Sequence, residues 1–159
     1  VLHVALFEPE IPPNTGNIIR LCANAGAGLH LIEPLGFAID DKRLRRAGLD
    51  YHEFADVIVH KNFDDFLVWS NARRIFACTT KATQHHHQAS YKDEDILLFG
   101  PESRGLPGDV LNQLDDGQKI RIPMLPDSRS LNLSNATAII LYQAWQQLNF
   151  AGSKQLDNH

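Results

Sequence analysis

Apolar residues recur along the chain in two rhythms. Short β-rich runs at residues 2–7, 29–32, 57–60, 74–78, 96–99 and 119–122, several of them nearly continuous in apolar residues, predict strands. Between them, residues 17–25, 63–70 and 110–114 carry the spacing of helices. The clearest helical pattern spans residues 134–148, where Ala138, Leu141, Tyr142, Trp145 and Leu148 repeat at helical intervals. Strands that are apolar on both faces are expected to be covered on both sides. The alternation therefore predicts an α/β domain on a mainly parallel sheet. Ligands of such sheets bind beyond the carboxyl ends of the strands. That directs attention to the loops EPEIPPNTGN, TTKATQ, GPESRGLP and PMLPDSRSLNLSN.

A length of 159 residues suits one domain over the whole chain, ending in a polar tail at 151–159. No apolar stretch is long enough to span a bilayer, and the first apolar run, without a basic flank, reads as a strand rather than a signal peptide. Cys22 and Cys78 belong to no C-x-x-C pair and lie in apolar runs. Buried free thiols and a cytoplasmic protein are expected. The formal net charge of −4 argues against a surface that grips nucleic acid everywhere. It leaves room for a local patch, and Lys42, Arg43, Arg45 and Arg46 form one. From charge alone the simpler reading is a solvated helix face. His85, His86 and His87 lie in a polar stretch that reads as a surface loop. Three adjacent histidines cannot converge on one ion, so no metal is expected there.

Three loop motifs stand out. Asn14-Thr15-Gly16-Asn17 precedes a helix carrying Arg20. Capping explains the first residues, but an arginine near the sheet's carboxyl edge would hold a phosphate or polar substrate group. Leu97-Leu98-Phe99-Gly100-Pro101-Glu102-Ser103-Arg104-Gly105-Leu106-Pro107 runs from a buried strand into a loop. Gly100 lets another group approach the backbone, and Glu102 either braces the loop or takes part in chemistry. From Ile122-Pro123-Met124 the chain passes through Asp127, Ser128, Ser130, Leu131, Asn132, Ser134 and Asn135 into the last helix. Ser134 alone would serve as the cap, so the other polar side chains exceed what capping needs.

Together, in this order, the motifs resemble the SPOUT class of RNA methyltransferases, in the branch that methylates ribose 2′-hydroxyls. The resemblance rests on Asn14, Gly16, Asn17 and Arg20; on Leu97, Gly100, Glu102, Gly105 and Leu106; and on Ile122, Pro123, Met124, Ser130, Leu131, Asn132, Ser134, Asn135 and Ala136. With no added RNA-binding domain, and with DDKRLRRAGLDYHEF after the second strand, the chain looks like the compact YibK-type subfamily. The resemblance implies a SPOUT-type sheet with a C-terminal trefoil knot at about 74–150, against the rarity of knots. It implies a homodimer with a site shared across the interface. It implies S-adenosylmethionine as methyl donor, and the wobble nucleotide of leucine tRNAs as target.

By the same resemblance Cys78, Gly100, Ile122, Met124, Ser130 and Leu131 hold the cofactor, with apolar side chains and backbone groups suited to a nucleoside. Arg20 matches the catalytic arginine, and Asn14, Glu102 and Asn132 match positions that orient it and the substrate. A guanidinium keeps its proton in proteins, so stabilising the developing alkoxide is physically easier than acting as base. The Lys42, Arg43, Arg45 and Arg46 cluster becomes an expected RNA contact. Tyr142 is read as a core or interface aromatic, with an RNA or cofactor contact as the functional option.

Two other readings are weaker. A dinucleotide-dependent oxidoreductase needs G-x-G-x-x-G between the first strand and helix, and the only G-x-G, Gly26-Ala27-Gly28, follows the helix. A non-enzymatic RNA-binding module would show more basic excess and interleaved aromatics.

Overall fold

The computed structural model describes residues 1–46, 48–50, 53 and 56–157. Six strands form one sheet: β1 (His3–Phe7), β2 (Gly28–Ile32), β3 (Val57–His60), β4 (Ile75–Cys78), β5 (Ile96–Phe99) and β6 (Lys119–Ile120). Their order is β3-β2-β1-β5-β4-β6, and every pairing is parallel. Among the described residues the α-helices are α1 (Pro12–Ala25), α2 (Asp41–Arg46), α3 (Phe63–Ser70), α4 (Gly108–Leu111) and α5 (Leu133–Gln147).

The central strands are buried on both faces because alternate residues enter two different cores. Val4, Leu6, Leu97 and Phe99 meet Ile18, Ile19 and Cys22 of α1 and Ile140, Leu141 and Ala144 of α5. Ala5, Phe7, Ile96 and Leu98 face Phe66 of α3 and Val110 and Leu111 of α4. From β1 the chain builds outward through β2 and β3, and then returns to place β5, β4 and β6 on the other side. The crevice between the ends of β1 and β5 is thus the topological switch point, where open α/β sheets bind ligands.

Several local expectations change. The first helix begins at Pro12 rather than at 17, with Ile11 as its N-cap and no side-chain cap bond. Proline suits the first helical positions because its missing N–H is not needed there. Asn14 and Thr15 are therefore buried inside α1 and are not its caps. At the other end of the chain Asn132, not Ser134, caps α5. The buried stripe of α5 is Ala136, Thr137, Ile140, Leu141 and Ala144, while Tyr142 is 40% exposed, edge-on to Trp145. The sixth strand ends at Ile120, and the predicted helix at 110–114 lies at 108–111. His86–Gln88 forms a short 3-10 turn with His86 buried rather than a surface loop.

Three buried histidines lie in series across β1, β2 and β3. His3 Nδ1 is 3.2 Å from His30 Nε2, His30 Nδ1 is 2.9 Å from His60 Nε2, and His3 Nε2 is 3.1 Å from Glu94 Oε1. Burial, then the charges of His3, His60 and Arg73, push His30 down to about 3 from 6.5, and burial lowers His60 as well. Unfolded, these rings take up protons near pH 6.5. Between that value and 3 the unfolded chain binds more protons, so acid favours unfolding. Stability should be full above neutrality and, through His30, should fall by up to roughly 1.4 kcal/mol per pH unit below about pH 6, with His60 acting in the same direction. Urea midpoints at pH 7.5 and pH 5 check this; equal midpoints would contradict it.

Candidate active site

The three sequence motifs meet at the switch point through a chain of carboxylate and amide groups. Glu102, just past β5, accepts the backbone N–H of Glu10 at 2.9 Å and of Ile11 at 2.8 Å. Its Oε2 also accepts the Asn14 amide at 3.2 Å. Asn14 Oδ1 in turn accepts from Asn132 Nδ2 at 3.0 Å. Asn132 Oδ1 accepts Ser134 N at 2.9 Å, Ser134 Oγ at 2.6 Å and Asn135 N at 3.3 Å. The start of α1, the loop after β5 and the start of α5 are thereby locked together. Both amide orientations follow from the network, because Glu102 accepts only and the Asn132 oxygen must face backbone N–H groups.

A second lacing runs parallel to the first. Ser103 donates its N–H and its hydroxyl to Glu10 Oε1, each at 2.8 Å, and Arg104 donates to Glu8 Oε1 at 2.8 Å. The Ser103 donors hold the Glu10 carboxyl below its usual range. Glu8, Glu10, Ser103 and Arg104 lie in loops that stand out in the sequence, but nothing there gives these four a role. Their partners lie more than ninety positions away, beyond the reach of local pattern, and the surplus of polar side chains in both loops is the one signal they leave.

Glu102 thus spends its oxygens bracing α1. Glu102→Gln should cost about 2 kcal/mol, because the new amide N–H₂ would face N–H donors and charge-assisted bonds would disappear. Urea denaturation reads this change, and an unchanged midpoint would show that the loops hold without it.

Gly100 is set against its own loop. A Cβ there would lie 2.3 Å from Leu106 N and 2.4 Å from Gly105 C. Gly105 itself takes the left-handed conformation, with φ +65°. Cys78, Gly100 and Ile122 lie at or just beyond the carboxyl ends of the neighbouring strands β4, β5 and β6. Burial pushes the Cys78 thiol up to about 12, so it stays a thiol and contributes shape. Ile122 is buried, Met124 half-buried, and Ser130 and Leu131 exposed, as is Leu125. Leu125 and Leu131, apolar and open in the loop between β6 and α5, are the kind of surface a nucleoside would cover.

Arg20 is not part of this chain of bonds. It follows Asn14 by six residues on α1, which turns it about 120° away around the helix axis. Its Nε donates to Glu53 Oε2 at 3.2 Å, and its Nη2 donates to the carbonyl of Gly48. It lines a cleft of about 400 Å³ with Pro12, Pro13, Phe37, Ile39 and Arg43. Lys42, Arg43, Arg45 and Arg46 are exposed on α2. Arg43 Nε lies 3.5 Å from Asp40 Oδ2. Tyr142 lies on α5, apart from these cations in sequence and half exposed.

The sheet order and the joining of Asn14, Glu102 and Asn132 beside the ends of β1 and β5 define a parallel α/β protein with its candidate ligand site at the switch point. The chain belongs to the SpoU rRNA Methylase family, which it matches over residues 1–142. It is 61% identical over 153 residues to the tRNA (cytidine(34)-2′-O)-methyltransferase of Escherichia coli K12, covering 96% of this chain and 98% of that protein. A structure described as giving insights into the 2-OH methylation of C/U34 on tRNA superimposes with a TM-score of 0.86 and 43% identity, over 93% of this chain and 96% of that one. An AdoMet-bound rRNA methyltransferase from Sinorhizobium meliloti matches with a TM-score of 0.80 and 31% identity, over 92% of this chain and 56% of that one.

Proposed function

We propose that this protein transfers a methyl group from S-adenosylmethionine to the ribose 2′-hydroxyl of nucleotide 34, the wobble cytidine or modified uridine, in leucine tRNAs. The observation that supports this best is the Glu102–Asn14–Asn132 chain, which ties the three motifs of a 2′-O-methyltransferase into one crevice. The Escherichia coli relative's name supplies the nucleotide.

Cys78, Gly100, Ile122, Met124, Ser130 and Leu131 would hold the cofactor, with backbone groups at three adjacent strand ends and the exposed Leu131 side chain suited to a nucleoside. When bound, S-adenosylmethionine supplies an electrophilic methyl group on a sulfonium, which departs as a neutral thioether and calls for no metal. The protein's own work is to align the ribose oxygen and to stabilise charge as its proton leaves. Arg20 does this as a fixed cation. Asn14, Glu102 and Asn132 hold the loops that set the distance.

Arg20 and the strand-end loops face different ways from α1, so a site completed across a homodimer fits the geometry better than one built within a single chain. Mixing Arg20→Ala with Leu131→Asp, each inactive alone, should then restore part of the activity; no recovery would count against a shared site. A knot over about 74–150, within one SPOUT domain spanning 1–159, belongs to the same reading, as does a cytoplasmic location. No helix among the described residues is long and apolar enough to cross a membrane.

Incubating the protein with labelled S-adenosylmethionine and tRNA from cells lacking this activity tests the proposal. The label should appear on the ribose of nucleotide 34, and label at another nucleotide, or none, would overturn it. Lys42, Arg43, Arg45, Arg46 and Tyr142 are the proposed RNA contacts. Neutralising Lys42, Arg45 and Arg46 should flatten the salt dependence of tRNA binding by about 0.7 for each phosphate left without its cation.

A further inference from the structure

The cleft beside Arg20 has a mixed lining. Pro12, Pro13, Phe37, Ile39 and Leu49 give it apolar lining, while Arg20 and Arg43 bring two guanidinium groups beside the polar Thr15 and Asn17. Its volume of about 400 Å³ is that of a small-molecule pocket. The wall carrying Phe37 is fixed rather than loose. Gly36 donates its N–H to the Pro9 carbonyl at 2.9 Å. A Cβ on Gly36 would meet the Glu10 Cα at 2.9 Å, so the absent side chain lets this loop rest on the backbone that Glu102 braces. Phe37 is therefore held over the start of α1 by the same lacing that builds the crevice.

Both cations at the rim are exposed, and each has a carboxylate beside it, Glu53 for Arg20 and Asp40 for Arg43. The Arg43–Asp40 pair is exposed on both sides and contributes little, and an arginine fork offers five N–H donors, of which the contacts of Arg20 to Glu53 and Gly48 use two, so donors remain for a phosphate. Lys42, Arg45 and Arg46 on the same short helix as Arg43 make this a basic surface on a chain whose net charge is −4. An apolar wall with an aromatic ring, beside a cationic rim, matches a nucleotide: base on the ring, phosphate on the fork.

We propose that this cleft seats a nucleotide of the RNA substrate next to the one that is methylated, its base stacked on Phe37 and its phosphate held by Arg43 with Arg20. Phe37 and Arg43 then select and register the RNA, leaving the crevice for the reacting ribose. The inference rests on the reading of the protein as an RNA 2′-O-methyltransferase.

The test uses an anticodon stem-loop RNA carrying 2-aminopurine beside nucleotide 34. With the wild-type protein, stacking should quench the fluorophore. Phe37→Ala should abolish the quenching and raise KM for the RNA about tenfold, the range of one base stacked on an aromatic ring. Phe37→Tyr should restore both, and S-adenosylmethionine affinity should be as in the wild type throughout. Arg43→Gln should raise KM and reduce the salt dependence of binding. Wild-type-like quenching and KM in Phe37→Ala would overturn the inference. So would a change in dimerisation without a change in RNA affinity, because the occupant would then be a second copy of this chain. Failure of the wild-type protein to methylate the RNA at all would instead overturn the underlying reading, and cofactor binding separates the two.

Discussion

Arg20→Lys should lower kcat by about a hundredfold or more while leaving S-adenosylmethionine affinity within about twofold of wild type. Lysine keeps the charge but loses the planar fork, and the fork is what allows one side chain to face an alkoxide and a phosphate together. Removing one preorganised donor from a developing oxyanion typically costs two to three orders of magnitude in rate, about 2.7–4 kcal/mol. In the structure Arg20 is already aimed, through Glu53 Oε2 at 3.2 Å and the Gly48 carbonyl. Lysine has no second arm with which to keep that aim. Single-turnover methylation of tRNA, with cofactor affinity measured by calorimetry, separates the effect from misfolding. Near-wild-type turnover would remove Arg20 from the chemistry.

Gly100→Ala should be the most damaging single-methyl change in the chain. The added Cβ would fall 2.3 Å from Leu106 N and 2.4 Å from Gly105 C, both backbone atoms that no rotamer change can move aside. The loop after β5 would have to shift, and with it Glu102, which holds α1 through Glu10 and Ile11. A stability loss of about 3 kcal/mol is expected, at the upper end for inserting a methyl group into packed structure. Cofactor affinity should fall by about a hundredfold, because the displaced loop forms one side of the proposed pocket. Gly105→Ala is the control. Its Cβ would meet nothing within 4 Å, and the strain is confined to a φ of +65°, which costs about 1–2 kcal/mol. If the two substitutions behave alike, the close approach at Gly100 is not what shapes the loop.

Methylation of a nucleic acid by a chain of net charge −4 calls for a focused rather than a general attraction to RNA. Arg43 of α2 lines the cleft that holds Arg20, with Lys42, Arg45 and Arg46 exposed on the same helix, and the chain built on Glu102 consists of neutral amides and one carboxylate. A protein so arranged should bind tRNA with a salt dependence set by a few cations, all removable without touching the crevice.

The sequence by itself determined the sheet and most of what lines it. Strands β1 and β5 are apolar at successive positions, a pattern stable only between two covering layers, and both are buried throughout. It also marked the loops that meet, through Glu102 just past a buried strand and through Asn132 in a polar row longer than a cap needs. Local pattern misjudges how they are used. Asn14 looks like a cap and is a buried bridge inside α1, because Pro12 and Pro13 start the helix earlier than apolar spacing shows. Asn132 looks like substrate machinery and is first of all the cap of α5.

What only the tertiary structure decided is which of these residues meet. The bonds from Asn14 to Glu102 and to Asn132 join residues 88 and 118 positions apart. Nothing in a helix or strand period encodes a partner at such distance. Strand order sets it, by bringing the ends of β1 and β5 side by side. The same order, with the turn of α1, carries Arg20 away from that crevice and toward Phe37 and Arg43. Residue types are written locally, but a site is a coincidence of surfaces, and only packing two layers of helices on one sheet brings those surfaces together.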